Sequence, residues 1–375
     1  MRREKIRILH VAQAAGGVDR YIRMLLRYLD KRKYENIVVL SQDFKEEDYI
    51  DIADKFEQVR MQREIGRADI DAIRQIRTLI KNYQPDIVYA HSSKAGAIAR
   101  IADIGLPNHC VYNPHGWAFS MISPHRKLYK MIEKAASFLC EKIICISEYE
   151  REAALRNHIC PKDKLQLIFN GVDIKAYEKR KAAEVGREAL GIDKGAFVVG
   201  MAARLTIQKA PDVFVKAARL IKEEFPDSVF LLVGDGDMRL EIDEYAEKNG
   251  LNDSLFITGW IPNPMDYIEL FDVAVLTTRW EGFGLVLPEY MLAEKPVIAT
   301  KAGAVPNIIR NEWNGLLVDV DDYYAVYEAV KRLRNDFALC QKLIANGKDI
   351  VYRKFDARRV AQEHELLFGK MTGDT

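Results

Sequence analysis

Short apolar segments rich in Val and Ile alternate along this chain with amphipathic stretches of helical period, and the alternation starts twice. This constrains the fold more than any other feature. Parallel strands need a crossover between them and a helix supplies it, so a repeating strand–helix order predicts parallel sheets covered by helices. In the first half the pattern predicts strands at Ile6–Val11, Ile37–Ser41, Ile87–His91, Cys110–Asn113, Lys142–Ser147 and Leu167–Phe169. Helices such as Val18–Leu29 and Asp69–Tyr83 lie between them, the latter with Ile70, Ile73, Ile76 and Ile80 on one face and Pro85 at its end. The second half restarts with strands at Phe197–Ala202, Val229–Val233, Leu255–Thr258, Val273–Thr277, Val297–Thr300 and Leu316–Asp319. Between the halves, Asp173–Asp193 is charged and weakly patterned, as a domain connection would be. A length of 375 residues leaves room for two domains, each with its own core.

Several classes are disfavoured. The apolar runs, such as Phe197–Gly200 and Val229–Val233, are strand-length, against the ~20 residues that span a bilayer. Met1-Arg2-Arg3-Glu4-Lys5 leads into the first strand without an apolar leader, which predicts a cytoplasmic protein. The cysteines, Cys110, Cys140, Cys145, Cys160 and Cys340, form no CxxC pair, and their odd count suits a reduced compartment. Neither half carries GxGxxG after its first strand: the first has Gly16-Gly17-Val18-Asp19 and the second Met201-Ala202-Ala203-Arg204-Leu205, which argues against a dehydrogenase. The net charge of +1 hides +7 over residues 1–175 and −6 over residues 176–375. Such a split fits either a basic half that faces an anion or an uneven scatter of solvated charge.

Chemistry concentrates in the second half. Glu281-Gly282-Phe283-Gly284-Leu285-Val286-Leu287-Pro288-Glu289 follows a strand and leads into a helix predicted at Pro288–Ala293. Its glycines let backbone N–H groups approach an anion, and the flanking carboxylates suit sugar and ribose hydroxyls. Earlier, Arg204-Leu205-Thr206-Ile207-Gln208-Lys209 follows strand Phe197–Ala202, where a planar Arg and a Lys suit a diphosphate.

Glu281 to Glu289 resembles the E-x7-E signature of the family 4 glycosyltransferases. Further matches follow in the family's order: Gly16-Gly17, His115-Gly116, Asn170-Gly171-Val172-Asp173, Gly234-Asp235-Gly236, Phe256-Ile257-Thr258-Gly259 and Asn314-Gly315-Leu316-Leu317-Val318. The sequence departs from the pattern at Ala203 and Ala210, where the family has glycine, and at Tyr290, where it has alanine. An alanine is a mild change there if its φ stays negative.

The resemblance implies an α/β protein of GT-B architecture, two Rossmann-like βαβ domains facing across a cleft. Residues 1–175 plus 356–375 would bind the acceptor and residues 176–355 the nucleotide-sugar donor. The final helix, with Asp356 as N-cap and Val360, His364 and Leu367 on one face, would return to the first domain. The implied activity is retaining transfer of a sugar from a nucleoside diphosphate sugar, with UDP favoured, to a saccharide hydroxyl. His115, Arg204, Lys209 and Glu281 would be catalytic. Gly16, Gly17, Gly234, Gly282, Phe283, Gly284, Leu285, Val286 and Glu289 would bind donor, with Glu289 on the ribose and backbone N–H groups of Gly282 to Val286 on sugar and phosphate. No cofactor or catalytic metal is expected, since no DxD-type pair ends a strand and Arg204 and Lys209 would offset the leaving diphosphate. Nucleic acid is not an expected partner.

His91-Ser92-Ser93-Lys94-Ala95-Gly96 and Asn113 to Phe119 resemble bacterial enzymes that extend polyprenyl-diphosphate-linked sugars for capsules, O-antigens or exopolysaccharides. That implies acceptor contacts from His91, Lys94 and Trp117. Trp117–Ile122 is apolar where a loop is expected, and His125–Lys134 reads as a basic amphipathic helix with Leu128, Met131, Ile132 and Ala135 inward. Basic residues beside exposed aromatics suit an anionic membrane face, and an ordinary solvated helix fits the same pattern. Other readings are a GT-B sugar-nucleotide epimerase, whose first-half acid/base carboxylates Asp69 and Asp71 do not match, and a non-catalytic carbohydrate-binding module.

Overall fold

The sheet of the first half has seven parallel strands: β1 (Ile6–Ala12), β2 (Tyr34–Leu40), β3 (Lys55–Gln58), β4 (Ile87–His91), β5 (His109–Asn113), β6 (Lys142–Cys145) and β7 (Leu165–Leu167), in the order β3-β2-β1-β4-β5-β6-β7. The second has six parallel strands: β8 (Phe197–Ala202), β9 (Ser228–Val233), β10 (Leu255–Ile257), β11 (Val273–Leu276), β12 (Val297–Thr300) and β13 (Leu316–Val318), in the order β10-β9-β8-β11-β12-β13. These come from a computed structural model that describes residues 4–62, 66–121, 124–180 and 186–374. The chain forms two compact units, residues 1–173 with 356–375, and residues 174–355.

The central strands read as continuous apolar runs because helices cover both of their faces. Sequence reading misses β3, whose Lys55-Phe56-Glu57-Gln58 is largely polar; at the edge, with only β2 beside it, such a strand needs no apolar faces. Helix Ala68–Tyr83 forms as predicted, but Ile70 in its first turn is half exposed, and the buried face is Ala72, Ile76 and Ile80. Cys110, Cys140 and Cys145 are buried, two β-strand and one loop thiol within the same core cluster.

In each sheet the strand order reverses once. The chain runs outward from β1 through β2 to β3, then returns to β4 on the other side of β1; β8 and β11 are related in the same way. Loops after β1 and β4, and after β8 and β11, therefore diverge and open a crevice at the carboxyl edge.

The chain leaves the first unit after Asp173 and re-enters it at Asp356. Val172 and Asp356 form a parallel bridge, and the Ala357 N–H donates to the Val172 carbonyl at 3.0 Å. Asp356 caps helix Ala357–Thr372, its carboxylate accepting from the Arg358 N–H at 2.9 Å. The helix buries Ala357, Val360, Ala361, His364, Leu367 and Phe368, and its apolar members join the core formed by Ile8, Leu25 and Tyr89. His364 lies fully buried, with Nδ1 2.7 Å from the Val360 carbonyl. That carbonyl can only accept, so the proton sits on Nδ1 and Nε2 is an acceptor. The Tyr21 and Tyr89 hydroxyls lie 2.8 and 3.1 Å from Nε2 and 2.9 Å from each other, so one donates to the other and the remaining O–H to Nε2.

Replacing Phe368 with alanine removes a ring packed within this core and should cost about 3–5 kcal/mol, read as a lowered urea midpoint with an unchanged m-value. A pH effect follows from His364, which burial lowers from 6.5 to about 4. The unfolded chain takes up that proton first, so stability is intact above pH 6.5 and falls as pH drops towards 4. His364→Gln should reduce the proton uptake on unfolding by close to one at pH 5, measured from the slope of unfolding free energy against pH.

Candidate functional site

In the second unit the loop after β8 is fastened to the loop after β11 by a set of directed bonds. Thr277 Oγ1 donates to the carbonyls of Lys209 and Ala210, and Thr278 Oγ1 lies 3.0 Å from that of Gln208. Gln208 Nε2 donates in return to the Trp280 carbonyl at 2.9 Å. Arg279 closes the set: its N–H donates to Gln208 O at 2.7 Å, and its guanidinium reaches Ile207 O, Asp212 and Asp321. These bonds bring Lys209 into an ion pair with Glu281, both side chains retaining a little solvent access. Arg204 stands exposed five residues earlier in the same loop.

Close backbone approaches set the rest of this edge. The Leu205 N–H donates to Asp235 O at 2.9 Å, and the Ala203 N–H to Val233 O at 3.0 Å. A Cβ on Gly234 would stand 2.0 Å from the Ala203 carbonyl oxygen, and one on Gly236 2.4 Å from that of Leu205, so both must be glycine. Gly303 likewise lets its turn lie against Glu281, whose carbonyl accepts from the Ala304 N–H at 2.9 Å. Gly282 is partly exposed beside it, while Gly284, at φ 87°, and Phe283 are buried, the ring of Phe283 lying edge-on to Phe355. The helix that follows is Val286–Leu292, which starts two residues before the expected Pro288. Proline is tolerated there because first-turn N–H groups have no intrahelical acceptor. Leu285 and Val286 at its start are partly exposed, and Glu289 in its first turn is buried.

The departures from the family pattern resolve differently. Ala203 keeps a negative φ, but Ala210 adopts φ 51°, so the mild-change condition fails there and the alanine is held in a left-handed conformation. Tyr290 is fully buried; its hydroxyl accepts from the Ala202 N–H at 2.7 Å, at the end of β8 where the cation-bearing loop starts.

In the first unit, Gly16 at φ 99° and Gly17 form the turn into helix Gly17–Tyr28 after β1. His91 ends β4, and His115 follows β5. His115 has φ 52°, is partly exposed, and its N–H donates to Asn113 Oδ1 at 3.1 Å. His91 is fully buried, with Nδ1 3.0 Å from His115 Nε2 and Nε2 3.3 Å from His10 Nδ1. His10, fully buried in β1, places Nε2 3.2 Å from Asn36 Oδ1. Burial lowers His10 to about 4, His115 to about 3 and His91 well below the usual value, so all are neutral near pH 7.

Two acceptor-side expectations, His91 and Trp117, need correction. His91 has no surface to offer a saccharide, because it sits on a central strand behind His115. Trp117 is 1% exposed, stacked on Phe119, with its indole N–H donating to the Glu150 carbonyl at 2.9 Å. Lys94 differs from these two: it pairs with Asp69 at 2.8 Å and keeps about as much solvent access as Lys209. Helix Arg126–Ala136 is also turned. Leu128, Met131 and Ala135 face outward, and Glu133 with Ala136 is buried, with Ile132 partly so. The cause is a buried polar contact: Glu133 accepts from Arg100 at 3.1 Å and from the Tyr112 hydroxyl at 2.8 Å, while Arg100 stacks 3.8 Å over the Tyr112 ring. Leaving Arg100 buried without its carboxylate would cost more than exposing two apolar side chains. Ile122 lies outside the described residues.

Sequence reading missed Thr277, Thr278, Arg279, Gly303, Glu150 and Asn36. The polar run directly after apolar β11 was the available signal for the first three. Glu150, fully buried below the Gly116 turn, accepts from the Ile146 N–H at 2.9 Å and is raised to about 8 by burial. Among the described residues no group of three His, Cys, Asp or Glu is arranged to hold a metal ion, and no helix is long and apolar enough to cross a membrane.

Comparison with known proteins matches this arrangement to families. The family described as "Glycosyltransferase Family 4" matches residues 15–176 and that described as "Glycosyl transferases group 1" matches residues 183–350. A UDP-Gal:alpha-D-GlcNAc-diphosphoundecaprenol alpha-1,3-galactosyltransferase of Escherichia coli is 30% identical over 370 residues, 93% of this chain and 95% of its own. The capsular polysaccharide biosynthesis glycosyltransferase CapM of Staphylococcus aureus is 24% identical, over 96% of each chain. Among solved structures, Anabaena HepE in complex with UDP and glucose superposes with a TM-score of 0.84 at 22% identity, covering 97% of this chain and 99% of its own. The last is a likeness of fold, that of the GT-B glycosyltransferases. Full-length identity at that level, with both family matches in register, shows that this chain belongs to the family 4 glycosyltransferases.

Proposed function

We propose that this enzyme transfers a sugar, with retention of configuration, from a UDP-sugar to a hydroxyl of a polyprenyl-diphosphate-linked saccharide during synthesis of a bacterial capsule or exopolysaccharide. The observation that carries the proposal is the Lys209–Glu281 pair at the carboxyl edge of β8 and β11, beside exposed Arg204. The names of the E. coli and S. aureus relatives and the UDP in the Anabaena complex support the substrate classes.

In this reading residues 174–355 bind the donor and the first unit binds the acceptor. Lys209 keeps some solvent access, and a doubly charged diphosphate attracts it more strongly than a single carboxylate, so an arriving diphosphate can draw it from Glu281. Lys209 and Arg204 then offset the charge that grows on the leaving diphosphate, and the freed Glu281 carboxylate accepts from donor-sugar hydroxyls. Glu289 accepts from the ribose, backbone N–H groups of Gly282 to Val286 hold sugar and phosphate, and His115 meets a sugar hydroxyl. No metal is required for the charge to be offset.

The outward face of helix Arg126–Ala136 fits peripheral attachment at the inner membrane surface, where a polyprenyl acceptor resides. Met131 and Phe138, 68% and 79% exposed, lie with Leu128 among Lys127, Lys130 and Lys134, the composition of a helix lying on anionic lipid.

Arg204→Ala and Lys209→Ala should each lower kcat by about 30-fold or more, roughly 2 kcal/mol, with turnover retained in excess EDTA. Calorimetry should show Glu289→Ala weakening free UDP, and Glu281→Ala weakening only the UDP-sugar. Wild-type kcat in both cation mutants would end the assignment. Separately, Leu128→Ser with Met131→Ser should reduce binding to phosphatidylglycerol vesicles at least ten-fold, because two apolar side chains lose their burial in lipid. Unchanged sedimentation with vesicles would remove the membrane face.

A further inference from the structure

The hydrogen-bonded row Asn36–His10–His91–His115 is directional. Each imidazole is neutral, and a neutral imidazole has one N–H, so it donates from one nitrogen and accepts at the other. Asn36 Oδ1 can only accept; His10 therefore donates from Nε2 and accepts at Nδ1. The partner at Nδ1 is His91 Nε2, which must be the donor and leaves His91 Nδ1 as an acceptor. His115 Nε2 lies 3.0 Å from it and must donate. The proton of His115 is thus on Nε2, and its Nδ1 is a bare lone pair. Turning over the amide of Asn36 would reverse every link and leave Nδ1–H instead. Of the four residues only His115 has solvent access.

We propose that Asn36, His10 and His91 are positioning residues that lock His115 in the Nε2–H tautomer, so that it presents Nδ1 to the substrate solely as a hydrogen-bond acceptor. A phosphate oxygen at neutral pH offers no proton to such a nitrogen, whereas a sugar hydroxyl does. The lock therefore directs His115 to a hydroxyl of the reacting sugar and away from the diphosphate, which depends on the sugar-transfer reading above. The ring is held from the side as well. Tyr21 packs edge-on at 4.6 Å, and its hydroxyl is engaged by His364 and Tyr89, so no other titratable side chain among these supplies His115 with a competing proton.

The test begins with 15N-histidine-labelled full-length protein at pH 7, with two-bond proton–nitrogen correlations assigned by His115→Gln. The expected pattern for His115 is a protonated Nε2 and an unprotonated Nδ1. An Nδ1–H pattern, or an even mixture of tautomers, would overturn the lock, whether or not the protein transfers sugar. Asn36→Leu should retain folding by thermal melt yet mix the His115 tautomers, lower kcat/KM for the sugar donor about ten-fold and leave UDP affinity unchanged. Asn36→Asp, whose carboxylate only accepts and so cannot reverse the row, should restore both the single tautomer and the rate, and failure of that rescue would overturn the proposal. Wild-type kinetics in a folded Asn36→Leu with mixed tautomers would likewise overturn the positioning role. Should Asn36→Leu not fold, His10→Gln serves in its place, read by the same correlation and rate. Absence of any transfer by the wild type would instead count against the proposed function, the tautomer readout still deciding the lock.

Discussion

Parallel pairing places the carboxyl ends of all strands of a sheet at one edge, and the rest of this molecule depends on it. In both sheets a single reversal of strand order separates two neighbouring loops at that edge. Residues far apart in the chain then meet: Lys209 and Glu281 in the second unit, and His10, His91 and His115 in the first. None of these meetings needs a special local conformation of the strands. They follow from register and from the length of the loops.

What the loops do once there is decided by backbone contact. The cation loop is held by carbonyl oxygens that accept from Thr277, Thr278 and Arg279, so its shape does not depend on its own charged side chains. Arg204 is exposed and Lys209 pairs with Glu281, so neither side chain is spent on holding the loop. Glycines at 234, 236 and 303 mark the points where two backbones come closer than a Cβ permits. Ala210 is held in a left-handed conformation that costs a residue with a Cβ some conformational energy.

The first unit shows how a buried polar contact can override an apolar pattern. From sequence, Leu128, Met131 and Ala135 look like the core face of their helix, yet Glu133 faces inward to meet Arg100 and Tyr112. Trp117 and His91 went the opposite way, from expected ligand contacts to buried structural roles. In each case the deciding partner lies on another element, tens of residues away.

By itself the sequence determined the strand–helix alternation, twelve of the thirteen strands, a last helix capped by Asp356, and the loops that carry charge and glycine. These are local: hydrophobic period, a capping side chain and short motifs act within one turn or strand. The edge strand β3 was not legible, since a strand paired on one side carries little apolar signal. Tertiary structure alone decided which face of helix Arg126–Ala136 is buried, that Thr277, Thr278 and Arg279 hold the cation loop, and that three histidines align behind Asn36. Hydrogen-bond partners 24 to 81 residues apart leave no periodicity in a sequence, because what joins them is the register of neighbouring strands.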